Sequence, residues 1–324
     1  MLTAPLPPEL ERALADATRG RSSARATAEL TRRYWHPTAS SGPVARSPDD
    51  VRAYAVARLP ATYAAVRVAL GELRSRMPSF HPDSLLDLGA GPGTAPWAVA
   101  ETWPTLGRVT AVEPAAEMRR LGTDLARAAP SRAVAHAEWL AQTLPHGTPP
   151  ARHDLVTLSY VLAELDERDH AATVERAWNA AAHALVVVEP GTPSGYERVL
   201  AARESLIAFG ATVVAPCPHD RACPLAGTGD WCHFAVRLAR TRAHREAKDA
   251  ELGHEDEKFS YVVAARTRAP QAAARILRHP QTRRGHVLLE ICGRDGARAE
   301  TVSKRAAERY RRARKIAWGE DLGE

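Results

Sequence analysis

The chain has 324 residues, 45% hydrophobic and 25% charged, with a formal net charge of +6 and four cysteines. Length sets a prior of two domains, or of one large α/β domain with additions, and the apolar content suffices for a buried core, which excludes a disordered chain. No apolar run approaches the ~18 residues that span a bilayer, and the start lacks a charged region followed by an apolar block, so a soluble cytoplasmic protein without a membrane partner is expected.

The N-terminal segment is rich in Arg and Ala, as transit peptides are, but Glu9, Glu11 and Asp16 are uncommon in such peptides. The positive balance favours a polyanionic partner, and its location matters more than its total. Between Arg298 and Trp318 eight Lys or Arg stand against Glu300 and Glu308, a local excess of six, so the rest of the chain balances near zero.

Residues 1–78 show Ala, Leu, Arg and Glu at helical spacing and no strand-like alternation, with breaks at Pro37 and at the turn cluster Ser40 to Pro48. They are read as a helical N-terminal region. Tyr54, Arg58, Tyr63 and Arg67 have the composition of a nucleic-acid face, yet such residues on an amphipathic helix more often pack at a domain boundary, and that is the reading taken.

From 79 to 215 the pattern alternates strand and helix. Leu85-Leu86-Asp87-Leu88 runs into Gly89-Ala90-Gly91-Pro92-Gly93-Thr94, a strand feeding a glycine turn and a helix start. Glycines there let the backbone turn sharply and let a ligand approach the peptide N–H groups, with Thr94 as helix cap and Pro96 in the first turn. The spacing is G-x-G-x-G, because Thr94 stands where the dinucleotide fingerprint has its third glycine. Arg108 to Val112 is a second strand ending in Glu113, about 20 residues after the glycines, where an acid at a strand end holds ribose hydroxyls. Ala133 to Trp139, Asp154 to Tyr160 and Ala184 to Pro190 supply further strands, with Glu138 a candidate contact to an adenine.

The glycine loop with Asp87 resembles the first motif of class I S-adenosylmethionine-dependent methyltransferases. Ser159-Tyr160-Val161-Leu162 stands where amino-methylating enzymes of that fold carry an Asn/Asp-Pro-Pro-aromatic tetrad. Neither that tetrad nor a cysteine nucleophile is present there, so the catalytic group is unknown from sequence.

Residues 216–300 hold the least ordinary pattern. Cys217, Cys223 and Cys232 fall within 16 positions, and Cys292 follows the strand-like Val287 to Ile291, giving C-x5-C-x8-C-x59-C. In a reducing compartment the choice lies between metal ligation and four core thiols. Zinc sites usually present paired C-x2-4-C knuckles, whereas Cys-Pro at Cys217 and Cys223 suits cluster-ligating loops, so a [4Fe–4S] cluster is favoured. Zinc stays open as the alternative, since His219 or His233 could replace a thiolate. Strand-like alternation at 258–268 and 285–292 suggests a small β-rich module closing over the metal loop. Residues 301–324 are read as a basic C-terminal helix, from about Thr301 to Ala317, with Arg305, Arg309 and Arg312 on one face and Lys304, Arg311 and Lys315 on a neighbouring one.

Together the glycine loop with Thr94 to Ala98, Cys217-Pro218-His219, Trp231-Cys232-His233-Phe234, Glu255 to Tyr261 and Leu289-Glu290-Ile291-Cys292 resemble the small-ribosomal-subunit methyltransferase-like family, across residues 50 to 318. The resemblance implies a Rossmann-like class I methyltransferase sheet with a helical N-terminal region and a small metal-stapled β-rich C-terminal module. It implies S-adenosylmethionine held by Asp87, Gly89, Gly91, Gly93 and Glu113, and a [4Fe–4S] cluster on Cys217, Cys223, Cys232 and Cys292. The expected partner is the small ribosomal subunit or its rRNA, reached by a monomer through the basic C-terminal helix. A non-catalytic assembly or RNA-binding factor is the alternative, and a small-molecule methyltransferase is disfavoured because it leaves the basic tail unexplained.

Overall fold

Leu85, Leu86 and Leu88 lie in β2 (Ser84–Leu88), where all five residues are buried, because this strand is covered on both faces. The computed structural model describes residues 2–18, 47–144, 147, 151–240 and 253–323. Parallel to β2 run β3 (Arg108–Val112) on one side and β5 (His153–Ser159) on the other. Beyond them lie β4 (Glu138–Leu140) at one edge and β6 (Ala181–Pro190). Next to β6 comes β9 (His254–Ala265), which is antiparallel. The far edge of β9 is shared end to end by β7 (Thr212–Ala215) and β8 (Phe234–Ala239), both antiparallel to it. The resulting order, β4-β3-β2-β5-β6-β9 with a reversed strand next to β6, is the Rossmann-like sheet of class I methyltransferases.

The two faces carry two cores. Leu85, Val109, Leu155, Val186 and Val263 point to one, covered by α1 (Pro8–Ala17), α3 (Leu59–Arg76), α4 (Thr94–Thr102) and α5 (Ala116–Ala126). Leu86, Val156, Leu185 and Val262 point to the other, covered by α7 (Glu167–Ala180) and α8 (Pro193–Ala208). Each apolar side chain so buried contributes about 1.5–3 kcal/mol. Among the described residues no helix is long and apolar enough to cross a membrane.

Four expectations are corrected. Residues Leu2–Thr3 form a short strand, β1, parallel to β8, so the N-terminal region is not wholly helical. Residues 132–135 are a helical turn, α6 (Arg132–Ala135), and the strand begins only at Glu138; Ala is a strong helix former and a weak strand former. Residues 254–265 belong to the main sheet and not to a separate module, because Phe259 to Ala265 is apolar enough to be buried throughout. Thr301 to Ser303 pair with β12 (His286–Gly293) as the end of β13 (Gly296–Ser303), which leaves a helix, α9, of only Ala307–Ala313. Pro37 and the cluster from 40 to 46 lie outside the described residues, while Ser47 accepts a hydrogen bond from the Asp50 N–H and caps α2 (Pro48–Ala57).

A second sheet, with β10 (Ala274–Ile276) and β11 (Gln281–Arg283) on one edge of β12 and β13 on the other, encloses its own core of Ile276, Val287, Leu289 and Ile291. Arg275 of β10, 1% exposed, joins it to the rest. Its guanidinium donates to the Pro216 carbonyl at 3.0 Å, the Gly319 carbonyl at 2.7 Å and the Glu72 carboxylate of α3 at 2.7 Å.

Tyr54, Arg58, Tyr63 and Arg67 do not form an exposed face. Arg58, at the junction of α2 and α3, donates to both Glu257 carboxylate oxygens at 3.2 and 2.8 Å, and the Tyr160 hydroxyl donates to the same carboxylate at 3.0 Å. Tyr63 is buried and donates to Glu101, and Arg67 donates to Thr102. Removing one partner of a buried pair leaves a desolvated charge, which costs about 3–5 kcal/mol. Glu257→Ala is therefore expected to lower stability by about that amount, read as a fall in the denaturant midpoint with an unchanged slope.

Candidate functional site

The turn after β2 is built on three left-handed glycines: Gly89 (φ 71°), Gly91 (φ 53°) and Gly93 (φ 81°). Gly89 and Ala90 donate their N–H groups to the Val112 carbonyl at 2.8 and 3.0 Å, which ties the loop to the end of β3. A Cβ on Gly89 would stand 2.4 Å from Val161 Cγ2, so the loop closes against the segment after β5. Gly93, and not Thr94, occupies the cap position of α4, and Thr94 Oγ1 is buried without a partner among the described residues.

Glu113 is 8% exposed and braces this loop: Oε2 accepts the Gly91 N–H at 2.9 Å and Oε1 accepts the Ala115 N–H at 2.8 Å. Burial pushes its carboxyl up from the ordinary value, and the two backbone donors oppose that shift. Asp87 lies beneath the loop, 2% exposed, accepting the Thr157 hydroxyl at 2.6 Å. Burial pushes the Asp87 carboxyl up to about 7, against the Thr157 bond, and the Glu113 charge adds to the rise. The structure thus brings Asp87, the three glycines and Glu113 together at the C-terminal ends of β2 and β3, next to a helix N-terminus.

Sequence reasoning missed the part played by Trp139 here. The Trp139 ring covers the loop from the side: a Cβ on Gly93 or Gly122 would meet it at 3.3 or 2.3 Å. Gly122 inside α5 was the available signal, since glycine in a helix interior costs about 1 kcal/mol and is kept where something must approach closely. Glu138 is exposed and accepts from Thr110 at 3.4 Å. Tyr160 holds φ 61° at the end of β5, a strained conformation for a non-glycine residue, and its ring is committed to the Arg58–Glu257 pair.

A second constellation lies about the cysteines. Cys217 follows β7, Cys223 is in the connecting loop, Cys232 precedes β8, and Cys292 comes from β12 of the small sheet. All four line one cavity of about 40 Å³, together with His219 and Arg203. All four are free thiols. The Tyr196 hydroxyl is 3.3 Å from Cys223 Sγ, and His219 Nε2 is 3.9 Å from Cys292 Sγ. Burial pushes the Cys232 thiol well up, with Cys217, Cys223 and Cys292 adding to the rise, and burial followed by Cys217 and Cys223 pushes Cys292 up to about 12. Among the described residues no group of three or more His, Cys, Asp or Glu converges as a ready site for a single metal ion.

Asp87 yields a pH test. Its folded value of about 7 exceeds the unfolded value near 3.9, so the native state binds more protons between them and stability falls as pH rises through that window. Asp87→Asn, which keeps an acceptor for Thr157, is expected to gain stability relative to the wild type on going from about pH 5 to about pH 8. Denaturant midpoints at the two pH values measure this, and a difference that does not change with pH would sink it.

A family described as "Mitochondrial small ribosomal subunit Rsm22" matches residues 48–323. The human protein named "Ribosome assembly protein METTL17, mitochondrial" is 30% identical over 292 residues, covering 83% of this chain and 61% of that protein. "Rsm22-cox11 tandem protein 2, mitochondrial" of Schizosaccharomyces pombe is 26% identical over 337 residues, covering 84% of this chain and 43% of that one. The chain thus spans about 61% and 43% of the lengths of these two relatives. Among solved structures, the magnesium protoporphyrin IX methyltransferase of Synechocystis PCC 6803 with bound SAM is 11% identical, with 81% of this chain and 99% of that one covered and a TM-score of 0.43. An O-methyltransferase family protein of Burkholderia thailandensis is 13% identical, with 80% and 68% covered and a TM-score of 0.44. With the family matched over most of its length, a class I methyltransferase sheet and the glycine loop at the strand ends, this chain is a member of the Rsm22 family.

Proposed function

We propose that this chain is an S-adenosylmethionine-binding, iron–sulfur-containing factor that acts in assembly of the small ribosomal subunit. The observation that carries the cofactor reading is the Glu113 carboxylate bonded to the Gly91 N–H, which ties the left-handed glycine loop to the end of β3. Asp87, Gly89, Gly91, Gly93 and Glu113 are the residues assigned to the cofactor, with Trp139 flanking them. The ribosomal reading rests on family membership and on the printed names of the relatives, which are mitochondrial proteins. Its compartment is taken to be wherever its small subunit is assembled, cytoplasmic or mitochondrial.

The residues about the second cavity fit an iron–sulfur group. Four cysteine thiols line one cavity, the all-thiolate donor set that iron–sulfur groups take, and their spacing lacks the paired knuckles of zinc sites. Cys217, Cys223, Cys232 and Cys292 would hold it. When bound, such a group supplies four metal–thiolate bonds that fasten the loop 217–232 to β12.

Lys304, Arg305, Arg311, Arg314 and Lys315 remain exposed and are the candidate phosphate contacts, although α9 is short and Arg309 is drawn to Glu300. The segment after β5 favours a second reading, a factor that keeps the fold without methyl transfer. Tyr160 is turned into a buried ion pair and Val161 packs on the glycine loop, so neither of these two side chains is placed to take an acceptor proton.

Calorimetry with S-adenosylmethionine is expected to show binding that Gly91→Arg abolishes; equal affinity in wild type and variant would remove the cofactor reading. Methyl marks mapped on small-subunit rRNA with and without the gene separate enzyme from scaffold: a lost mark identifies an enzyme, and unchanged marks with accumulating immature subunits identify a scaffold. Charge reversal at Lys304, Arg305 and Arg311 is expected to weaken rRNA binding uniformly across sequences and to lower the salt slope by about 1 per lost phosphate contact.

A further inference from the structure

Three arginines are buried among the described residues: Arg58, Arg203 and Arg275. Arg58 faces Glu257 and Arg275 faces Glu72, as the cost of a buried charge requires. Arg203, 3% exposed on α8, is different. Its NH2 group donates to the carbonyls of His219 and Arg221 at 2.8 and 2.7 Å, which wraps the stretch between Cys217 and Cys223 around it, and it stands in no carboxylate pair. Its Nε is buried with no partner among the described residues, and the side chain lines the cavity ringed by the four cysteines. Besides these carbonyls its neighbours are sulfurs, with the Cys217 side chain within hydrogen-bonding reach, so this desolvated cation faces groups that become anionic as thiolates.

Tyr196 lies seven residues earlier on α8 and so on the same face of the helix. It lines the same cavity, and its hydroxyl lies 3.3 Å from Cys223 Sγ. One helix thus presents a cation and a hydroxyl donor to the cysteine site.

We propose that Arg203 and Tyr196 are the residues that set the charge balance of this site, holding the negative charge of a cysteine-bound iron–sulfur group and raising its reduction potential. This rests on the iron–sulfur reading above. Four thiolates around a dicationic four-iron core carry a net charge of about −2, and uptake of one electron takes it to about −3. The electron comes from a low-potential one-electron donor, such as a reduced viologen, which is oxidised by one electron. No proton moves and no covalent bond changes. Arg203 stabilises the more negative state through its charge, and Tyr196 does so through a hydrogen bond to the ligand sulfur, so both favour the reduced form. Neither side chain is a ligand in this reading; both act through the sulfurs.

The experiment uses the full chain purified anaerobically, with iron, acid-labile sulfide and the midpoint potential measured on the wild type, Arg203→Gln, Arg203→Lys, Tyr196→Phe and Arg221→Gln. Arg203→Gln and Tyr196→Phe are expected to keep iron and sulfide at the wild-type ratio and to shift the midpoint to lower potential, the Gln change by more. Arg203→Lys, which retains the charge, is expected near the wild type, as is Arg221→Gln, whose side chain is exposed. Should Arg203→Gln fail to fold, Tyr196→Phe carries the test alone, since it removes one hydroxyl. A fully loaded Tyr196→Phe or Arg203→Gln at the wild-type potential overturns the proposal and leaves the iron–sulfur reading standing. A wild-type chain that holds neither iron nor sulfide overturns both.

Discussion

The guanidinium of Arg275 is the point on which the arrangement of the molecule depends. It comes from the small sheet, yet its hydrogen bonds reach the loop that begins the cysteine segment, the C-terminal tail at Gly319 and helix α3 at Glu72. A buried guanidinium has five N–H donors and no tolerance for losing them, so four separate stretches of chain must be in register at once. Arg76 with Asp321 and the Trp318 indole N–H on the His233 carbonyl repeat the tie close by. These protein contacts fasten the small sheet to the main sheet, and the cysteine cavity is lined by residues of both.

Legibility in the sequence followed locality. The glycine loop, Asp87 and Glu113 were readable because a strand, a tight turn and a second strand end lie within about 30 residues of each other, the span of one βαβ unit. The same holds for β5 and β6, whose apolar runs are long. Residues 258–265 were readable as a strand, but their place was not: nothing in Phe259 to Ala265 tells a strand that seals the main sheet from one that starts a new module. The tail misled for a related reason. Helical spacing of Lys and Arg ran on past Thr301, while pairing of Thr301 and Val302 with Leu288 and Val287 decided their conformation. The four cysteines could be singled out by type and spacing, but Arg203 and Tyr196 could not, since one arginine and one tyrosine on a mixed helix carry no sign of what they face.

The two constellations stand on different parts of one scaffold. Asp87, the three glycines and Glu113 gather at the ends of β2 and β3, whereas the cysteine loop spans from β7 to β8, two short strands laid end to end along the outer edge of β9. The loop is therefore an excursion from a single sheet edge, and its contents can vary without disturbing the register of the central strands. Helices α2 and α3 close the opposite side by delivering Arg58 to a carboxylate on β9, which makes the reversed strand the meeting place of both ends of the chain.

That meeting has a consequence for the nascent polypeptide. Arg58 and Glu257 are 199 residues apart, and at about 5–20 residues per second the ribosome needs roughly 10–40 s to make the second after the first. Until then β6 has no antiparallel neighbour, and helices α2 and α3 have no β9 to hold them against the sheet. Through that interval the Val186 to Val188 edge of β6 keeps its backbone N–H and C=O groups unpaired, an apolar strand edge open to any strand that meets it first.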